Sequence, residues 1–441
     1  MGKKNRKFYY GVHGFLIELC GDRLVIQLKE RTFNVFDLIV IGGGAAGFFG
    51  AIQAAEMNPE MNIIILEKTT KLLSKVRISG GGRCNVTHHC FEPTELSRHY
   101  PRGQKPLKFL FRKYQPKDVV SWFEQRGVRL KAEEDGRMFP VSDASQTIID
   151  CFLRLAAQHS IRIETGCCVK EIKTVSGGFE ALIEGGGKFV GRKVLVALGG
   201  HANSLAYECI RSTGHSITPL IPSLFTFNDP EKKFKDLMGV SVPNGVVRIA
   251  GTKFYQGGPI LITHWGLSGP AVIKLSAWAA EYLFERRYEI DVLVSWTGET
   301  QEETVRKFLL NYKSEHKKRK ILSYPLYELP QRLWLRLCNL AEIEEDKIWD
   351  ELPNRNLNKL LELLIRCPFK IKGKTTFKEE FVTCGGVDLR EIDPETLESK
   401  KLKNLFFAGE VLNIDGETGG FNFQAAWTTA YVAAKEISKQ N

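Results

Sequence analysis

The stretch from Phe36 to Lys68, FDLIVIGGGAAGFFGAIQAAEMNPEMNIIILEK, constrains the fold of this chain more than any other. It reads as strand, glycine turn, helix and strand, a βαβ unit. Gly42, Gly44 and Gly47 form a G-x-G-x-x-G directly after the first strand. The first glycine permits the tight turn, the second lets a pyrophosphate approach the backbone, and the third lets helix and strand pack closely. The helix start then offers unpaired N–H groups to phosphate. Glu67 closes the second strand twenty residues after Gly47, where its carboxylate can accept hydrogen bonds from ribose hydroxyls. The pattern predicts a dinucleotide site; the alternative is a glycine turn of purely structural use.

Leu38 to Ala55 is also an uncharged run of eighteen residues, about long enough to cross a bilayer. Its three consecutive glycines divide it, so the expectation is a buried strand–turn–helix. With 441 residues and 26% charged side chains, the chain has room for two or three globular domains. The ten cysteines form no Cys-x-x-Cys and no Cys/His group with metal-ligand spacing. Reduced thiols, no metal and a cytoplasmic protein are expected. The basic start is interrupted by His13 and Glu18, which does not fit a signal peptide. The net charge of +11 is concentrated: residues 1–34 and 301–320 each carry seven Lys/Arg against three Asp/Glu. These are solvated basic segments or weak attractors of RNA or an acidic membrane surface.

Residues 1–34 look like an extension, in which DRLVIQLKERTF alternates like a strand without an evident partner. Helices are expected over 105–126, 145–158, 270–285, 301–314, 326–341, 355–366 and 423–439. A strand pair is expected over about 161–190, then KVLVALGG, β structure over 216–265, the strand YEIDVLVSW, and short strands in KEEFVTCGGVD and NLFFAGEV. Two late segments favour FAD as the dinucleotide. KVLVALGGHA ends a strand in Gly199-Gly200, and NLFFAGEVLNIDGETGGFNFQAAW passes Gly409-Glu410 and Gly419-Gly420 into an apolar helix. Such a helix start can face the flavin's pyrimidine oxygens.

A second glycine loop, SGGGRCN from Ser79 to Asn85, repeats the look of a phosphate loop. Its glycines permit backbone approach, Arg83 can offset phosphate charge, and Asn85 offers both a donor and an acceptor. The other reading is a structural loop with Arg83 in a salt bridge.

Taken together, IGGGAAG, KVRISGGGRCNVT, GRMFPVSDAS, THWGLSGPAVIKLS, VTCGGVDLREIDPETLESK and LFFAGEVLNIDGETGGFNFQAAWTTAYVAA resemble the BaiN-like (YhiN-like or RdsA-like) NAD(P)/FAD-dependent oxidoreductases, from Phe36 to the C-terminus. The resemblance implies an α/β fold: a glutathione-reductase-type, Rossmann-like FAD-binding domain with an inserted β-rich plus small helical region. It implies an extension at 1–34, an FAD domain at 35–200 and 375–441, and an insert at 201–374 on the substrate side. It places the second loop along the FAD. The implied cofactor set is Gly42, Gly44, Ala45, Ala46, Gly47, Glu67, Lys68, Lys75, Ser79, Gly80, Gly81, Arg83, Cys84, Asn85, Val169, Ala197, Gly199, Gly409, Glu410, Gly419, Gly420, Phe421 and Asn422. Three positions depart from the family's habit: Phe421 for Tyr, Asn413 for Asp and Leu397 for Met.

The implied activity is flavin-mediated hydride or electron transfer with a small organic substrate, by reduction of a conjugated double bond or oxidation of an amine. No second G-x-G-x-x-G opens another βαβ unit: EGGGKFVG is a turn between strands, and Gly257-Gly258 precedes a proline. NAD(P)H, if it is the reductant, is therefore expected to visit only transiently. No catalytic acid or base is identified; Cys84 and His264 are the candidates, Cys84 because Arg83 could stabilise a thiolate and His264 because THWGLSGP could line the substrate side, against the preferred readings of a packed thiol and a hydrogen-bonded structural histidine. An RNA-directed flavoprotein and a non-catalytic flavin sensor or scaffold are the alternatives.

Overall fold

The computed structural model describes residues 15–20, 23–28, 35–201, 203–375 and 382–439. The fingerprint stretch folds as β1 (Phe36–Ile41), α1 (Ala45–Met57) and β2 (Ile63–Glu67). Both strands are nearly continuous apolar runs without alternation, because a parallel sheet is covered on both faces. Downstream come β3 (Arg162–Thr165), β4 (Val169–Val175), β5 (Gly178–Ile183) and β6 (Lys188–Val196). The sheet order is β3-β2-β1-β6-β5-β4, with β1, β2, β3 and β6 mutually parallel where they pair.

Strand β6 has a divided edge. Its first half pairs antiparallel with β5, and Val194–Val196 pair in parallel with β7 (Leu405–Phe407), which arrives from the far end of the chain. The last helix, α3 (Phe421–Ile437), packs against α1. One hydrophobic core therefore draws on residues 36–210 and 387–437. A second core lies within residues 225–371. It fills one side of an antiparallel sheet that includes Ser241–Ile249, Tyr255–Ile262 and Glu289–Ser295, covered by the helices Glu302–Glu315, Gln331–Leu340 and Asn354–Arg366. Where the chain crosses between the two bodies, Ile221–Ser223 pairs antiparallel with Val382–Cys384.

Several expectations need correction. The helical stretch at 105–126 is two helices, Gln104–Leu110 and Pro116–Glu124, because Pro116 takes the first-turn position of a new helix. Pro330 likewise delays the helix expected from 326 until Gln331. The region 161–190 holds β3, β4, β5 and the start of β6, more than one strand pair. The stretch DRLVIQLKERTF does have a partner: Arg23–Leu28 pairs antiparallel with Phe15–Cys20. The side chains of the basic 1–34 segment and residues 376–381, which include the start of KEEFVTCGGVD, lie outside the described residues. No helix among the described residues is long and apolar enough to cross a membrane.

Candidate flavin and substrate site

The first glycine loop is shaped by crowding. A Cβ on Gly42 would lie 2.3 Å from the Ala197 carbonyl oxygen, and one on Gly47 would lie 1.9 Å from the Gly42 carbonyl oxygen. At Gly44 a Cβ would meet nothing within 4 Å. The N-cap Gly44 supplies no side chain, and no acidic residue occupies the first turn of α1, so its positive end is unopposed. Glu67 is already engaged with the turn: Gly43 N–H donates to Oε2 (2.8 Å), and Thr69 N–H and Oγ1 both donate to Oε1 (2.9 Å each). An ionised carboxylate has about four acceptor positions, so ribose hydroxyls can still be received.

The second loop is not a simple loop. A helix spans Ser74–Gly82 but breaks at Ser79, and Gly80 and Gly81 turn left-handed with φ of 59° and 67°. Leu73 N–H donates to Gly43 O (3.0 Å), so this helix starts against the first loop. Cβ atoms on Gly81 or Gly82 would meet nothing. Arg83, expected to offset phosphate charge, instead lies 3.9 Å over the Phe139 ring and pairs with Glu133 (2.6 Å). Cys84 is wholly buried, and burial pushes its thiol up to about 12 despite a hydrogen bond with Ser79. The buried thiol suits the packed reading and not a thiolate beside Arg83, because an apolar surround disfavours the charged form.

The tail of the second loop is stitched along the start of α3. With its amide oriented to suit both neighbours, Asn85 accepts from Gly420 N–H (2.9 Å) and donates to Thr87 O (3.0 Å). Trp427 Nε1 donates to Val86 O (2.9 Å), Thr87 Oγ1 donates to Gln424 Oε1 (2.6 Å), and His88 Nδ1 donates to Gly419 O (2.9 Å). Gly420 is required here, since its Cβ would fall 2.4 Å from Thr87 O. Phe421 stacks on His99 (ring centroids 4.2 Å) and His88 (4.5 Å). Asn422 holds the preceding turn through Gly416 N–H (2.8 Å) and O (3.0 Å).

Other expected residues gather near these loops. Ala46 meets Gly409, where a Cβ would approach it to 2.7 Å. Lys75 pairs with Glu410 (2.6 Å), which also accepts from Thr383 N–H (2.9 Å). Lys68 reaches His201, just past Gly199-Gly200, at 3.4 Å. Burial and the charges of Lys68 and Lys75 hold the His201 imidazole below its ordinary range. Val169 opens β4 two residues after Cys167, whose N–H donates to Glu67 O (2.9 Å). The open glycines at 44, 81 and 199 and the acid-free starts of α1 and α3 suit a diphosphate and a carbonyl-rich ring edge, so the donor set fits an FAD.

His264 is exposed at the turn before Gly266–Ser268, edge-on to Trp265 (4.0 Å). It lines a cleft with Asp229, Lys232, Lys235 and Phe369, whose walls all come from the inserted region. That cleft contains no residue of either glycine loop.

Sequence reasoning missed a polar junction between the two bodies. It lies where α2 (Pro270–Trp278) of the inserted region meets residues 415–421. Buried Asp415 accepts from Arg102 Nε and Nη2 and from Ser223 Oγ (2.9 Å), while Arg102 Nη1 donates to Ala277 O (2.6 Å). Glu417 accepts from Trp278 Nε1 (2.5 Å) and from His99 Nδ1 (3.1 Å), with Lys274 Nζ at 3.8 Å. Burial pushes the Glu417 carboxyl up, but His99, Trp278 and Lys274 together hold it below its ordinary value. The acids stood in the quoted IDGETGG segment, yet their partners lie more than a hundred residues away, which no local pattern reports.

Residues 36–436 match the HI0933-like protein Rossmann domain family. The 3-dehydro-bile acid delta(4,6)-reductase of Clostridium scindens is 27% identical over 409 residues, 91% of this chain and 98% of that protein. The ribosomal RNA dihydrouridine synthase of Escherichia coli is 28% identical over 414 residues, again 91% of this chain and 98% of that protein. Among solved structures, the 3-ketosteroid-delta4-(5alpha)-dehydrogenase of Rhodococcus jostii RHA1 shares the fold, with a TM-score of 0.51 at 13% identity, covering 93% of this chain and 99% of that one. The chain belongs to the HI0933-like protein Rossmann domain family and is a flavin-dependent oxidoreductase.

Proposed function

We propose that this oxidoreductase saturates a carbon–carbon double bond conjugated to a carbonyl in an organic substrate. The names of two relatives describe that one chemistry on different molecules: a delta(4,6)-reductase for a 3-dehydro-bile acid, and a synthase of dihydrouridine. The observation that carries the reading is the polar junction, where a buried carboxylate holds two half-exposed nitrogen donors beside the start of α3. Such donors match a carbonyl oxygen that gains charge during reduction. Amine oxidation would call for a site that accepts a proton from a cation.

In this reading the FAD unit is 35–200 with 375–441, and residues 201–374 form the substrate-side insert. Gly42, Gly44 and Gly47 receive the diphosphate, Glu67 the ribose, and Gly80, Gly81, Asn85, Gly419 and Gly420 border the ring. Bound FAD supplies hydride transfer; the chain positions its partners. NADH or NADPH reduces it from the shared substrate cavity, without a pocket of its own. The reaction takes place in the cytoplasm.

The test is anaerobic. Purified yellow protein is reduced with NADH or NADPH, then offered an enone steroid, a uridine-containing RNA and a panel of amines. Reoxidation by conjugated carbonyl compounds is the expected result. Reduction of the oxidised protein by amines, with no response to either conjugated acceptor, overturns the reading.

An RNA substrate is favoured by one further observation. Lys317 and Lys318 adjoin an aromatic group in which Arg319 lies 4.6 Å over Tyr324 and donates to the Tyr312 hydroxyl (2.8 Å). Binding of uridine-containing RNA that weakens steeply with salt, and is lost with Lys317→Ala and Lys318→Ala together, supports RNA. Salt-independent binding excludes this use of the patch.

A further inference from the structure

At the polar junction, Glu417 keeps only 7% of its side chain exposed, while Lys274 keeps 31% and His99 keeps 34%. The acceptor is buried and both donors are reachable. A carboxylate only accepts, so the proton of the His99–Glu417 bond sits on Nδ1, and Nε2 donates to a substrate oxygen only when the ring carries a second proton as imidazolium, the form the Glu417 charge favours. Lys274 approaches Glu417 at 3.8 Å, beyond hydrogen-bond length, so the carboxylate holds the ammonium by charge without taking its N–H groups. Trp278 Nε1 fills the other carboxylate oxygen at 2.5 Å. The remaining charged groups nearby are accounted for: Arg102 is spent on Asp415 and Ala277 O, and His88, 6.1 Å from His99 between ring centroids, is spent on Gly419 O. The start of α3 adds no acid of its own.

We propose that Lys274 and His99 form the site that receives the carbonyl oxygen of the substrate, and that Glu417 is the positioning residue for both. The proposal rests on the double-bond reduction argued above. Addition of hydride to the β-carbon of a C=C–C=O unit, the chemistry a bound reduced flavin would supply, would move the π pair onto the oxygen and give an enolate. A proton from water then adds to the α-carbon and the carbonyl returns. One double bond is replaced by two C–H bonds, and the negative charge appears in between on the oxygen. Two donors aimed at that oxygen stabilise it more than they stabilise the neutral carbonyl. The two donors come from different bodies of the protein, His99 from the FAD side and Lys274 from the insert. The site is therefore complete only when the bodies are docked through Trp278 and Arg102.

The test uses 4-nitrophenol, an aromatic oxyanion resembling an enolate, whose phenolate absorbs in the visible. It is titrated into oxidised, FAD-loaded protein at fixed pH, with the flavin spectrum subtracted. Wild type should bind the phenolate form. Lys274→Met should weaken that binding about tenfold and His99→Phe about threefold, while Lys274→Arg retains most of it. Glu417→Gln should weaken it about threefold, because the ammonium and the imidazole lose the charge that holds them, and Glu417→Asp, which keeps a carboxylate, should recover part of the loss. A Glu417→Gln protein that binds the phenolate as wild type does removes Glu417 from the positioning role. No phenolate band in wild type, or a band indifferent to Lys274→Met, overturns the oxyanion site. An intact band in a protein that reduces no conjugated carbonyl compound overturns the proposed reaction and leaves the site standing.

Discussion

At Gly47 a Cβ would come within 1.9 Å of a backbone oxygen, whereas at Gly81 it would meet nothing within 4 Å. The two glycine loops look alike in sequence and use glycine for different reasons. In the first, glycine makes room for the protein itself: α1 lies so close to β1 and to the end of β6 that no side chain fits. In the second, glycine supplies left-handed backbone at positions 80 and 81, and open space lies beside Gly81 while a Cβ on Gly80 would meet the Phe139 ring at 2.8 Å. The first loop is a packing device that also exposes a helix start. The second is a strap, anchored at one end on Gly43 and at the other on the first turn of α3. Similar composition thus conceals different energetics.

The contrast is sharpest under substitution. Gly47→Ala should cost about 3 kcal/mol or more, since backbone must move to admit the methyl. The protein should lose flavin and melt at a much lower temperature, read by visible absorbance and calorimetry. A Gly47→Ala protein with normal flavin content breaks the account of the first loop. Glu67→Ala should weaken FAD binding by about 1–3 kcal/mol, because the Gly43 N–H and the Thr69 donors lose their acceptor. Fluorescence titration of the apoprotein with FAD measures it. Asn85→Ala should cost about 2 kcal/mol by removing a buried bridge between the strap and α3. Asn85→Asp, which keeps an acceptor for Gly420 N–H, should recover part of it in urea unfolding.

Gly81→Ala should cost only about 1 kcal/mol, the strain of a left-handed residue with no clash. If it proves as damaging as Gly47→Ala in the apoprotein, the open space beside Gly81 is not open. The smallest effect concerns pH. Burial holds the His88 imidazole, at the end of the strap, below its ordinary range. The folded protein therefore takes up that proton at lower pH than the unfolded chain does. The stability His88 contributes is whole above about pH 6.5, the unfolded value, and is lost as pH falls toward the folded one. Urea midpoints should decline below about pH 6.5, and His88→Gln should make the decline shallower than in wild type. An unchanged slope removes His88 from the acid response.

The first βαβ unit was legible because all of its information is local. Apolar runs without alternation, G-x-G-x-x-G and a terminal acid occupy one stretch of chain, and together they point to one fold although each alone has another reading. Cys84 shows the limit. Its neighbour in sequence, Arg83, argued for a thiolate, but that guanidinium turns to Phe139 and Glu133 while the thiol turns into the core. Adjacency along the chain says nothing of which way two side chains point. His264 lines a cleft built wholly from residues 229–369, which holds no residue of either glycine loop.

By itself, then, the sequence determined the parallel sheet, the tight first turn, the long last helix and the family, because local periodicity and glycine spacing are set by covalent geometry and burial. Tertiary structure alone decided that β7 returns from residue 405 to share an edge of β6, and that the second glycine loop is strapped to α3. It alone brought His99, Lys274 and Glu417 together from three distant segments. Buried polar groups must find partners wherever the chain's packing puts them, and one sequence without its fold does not say where that is.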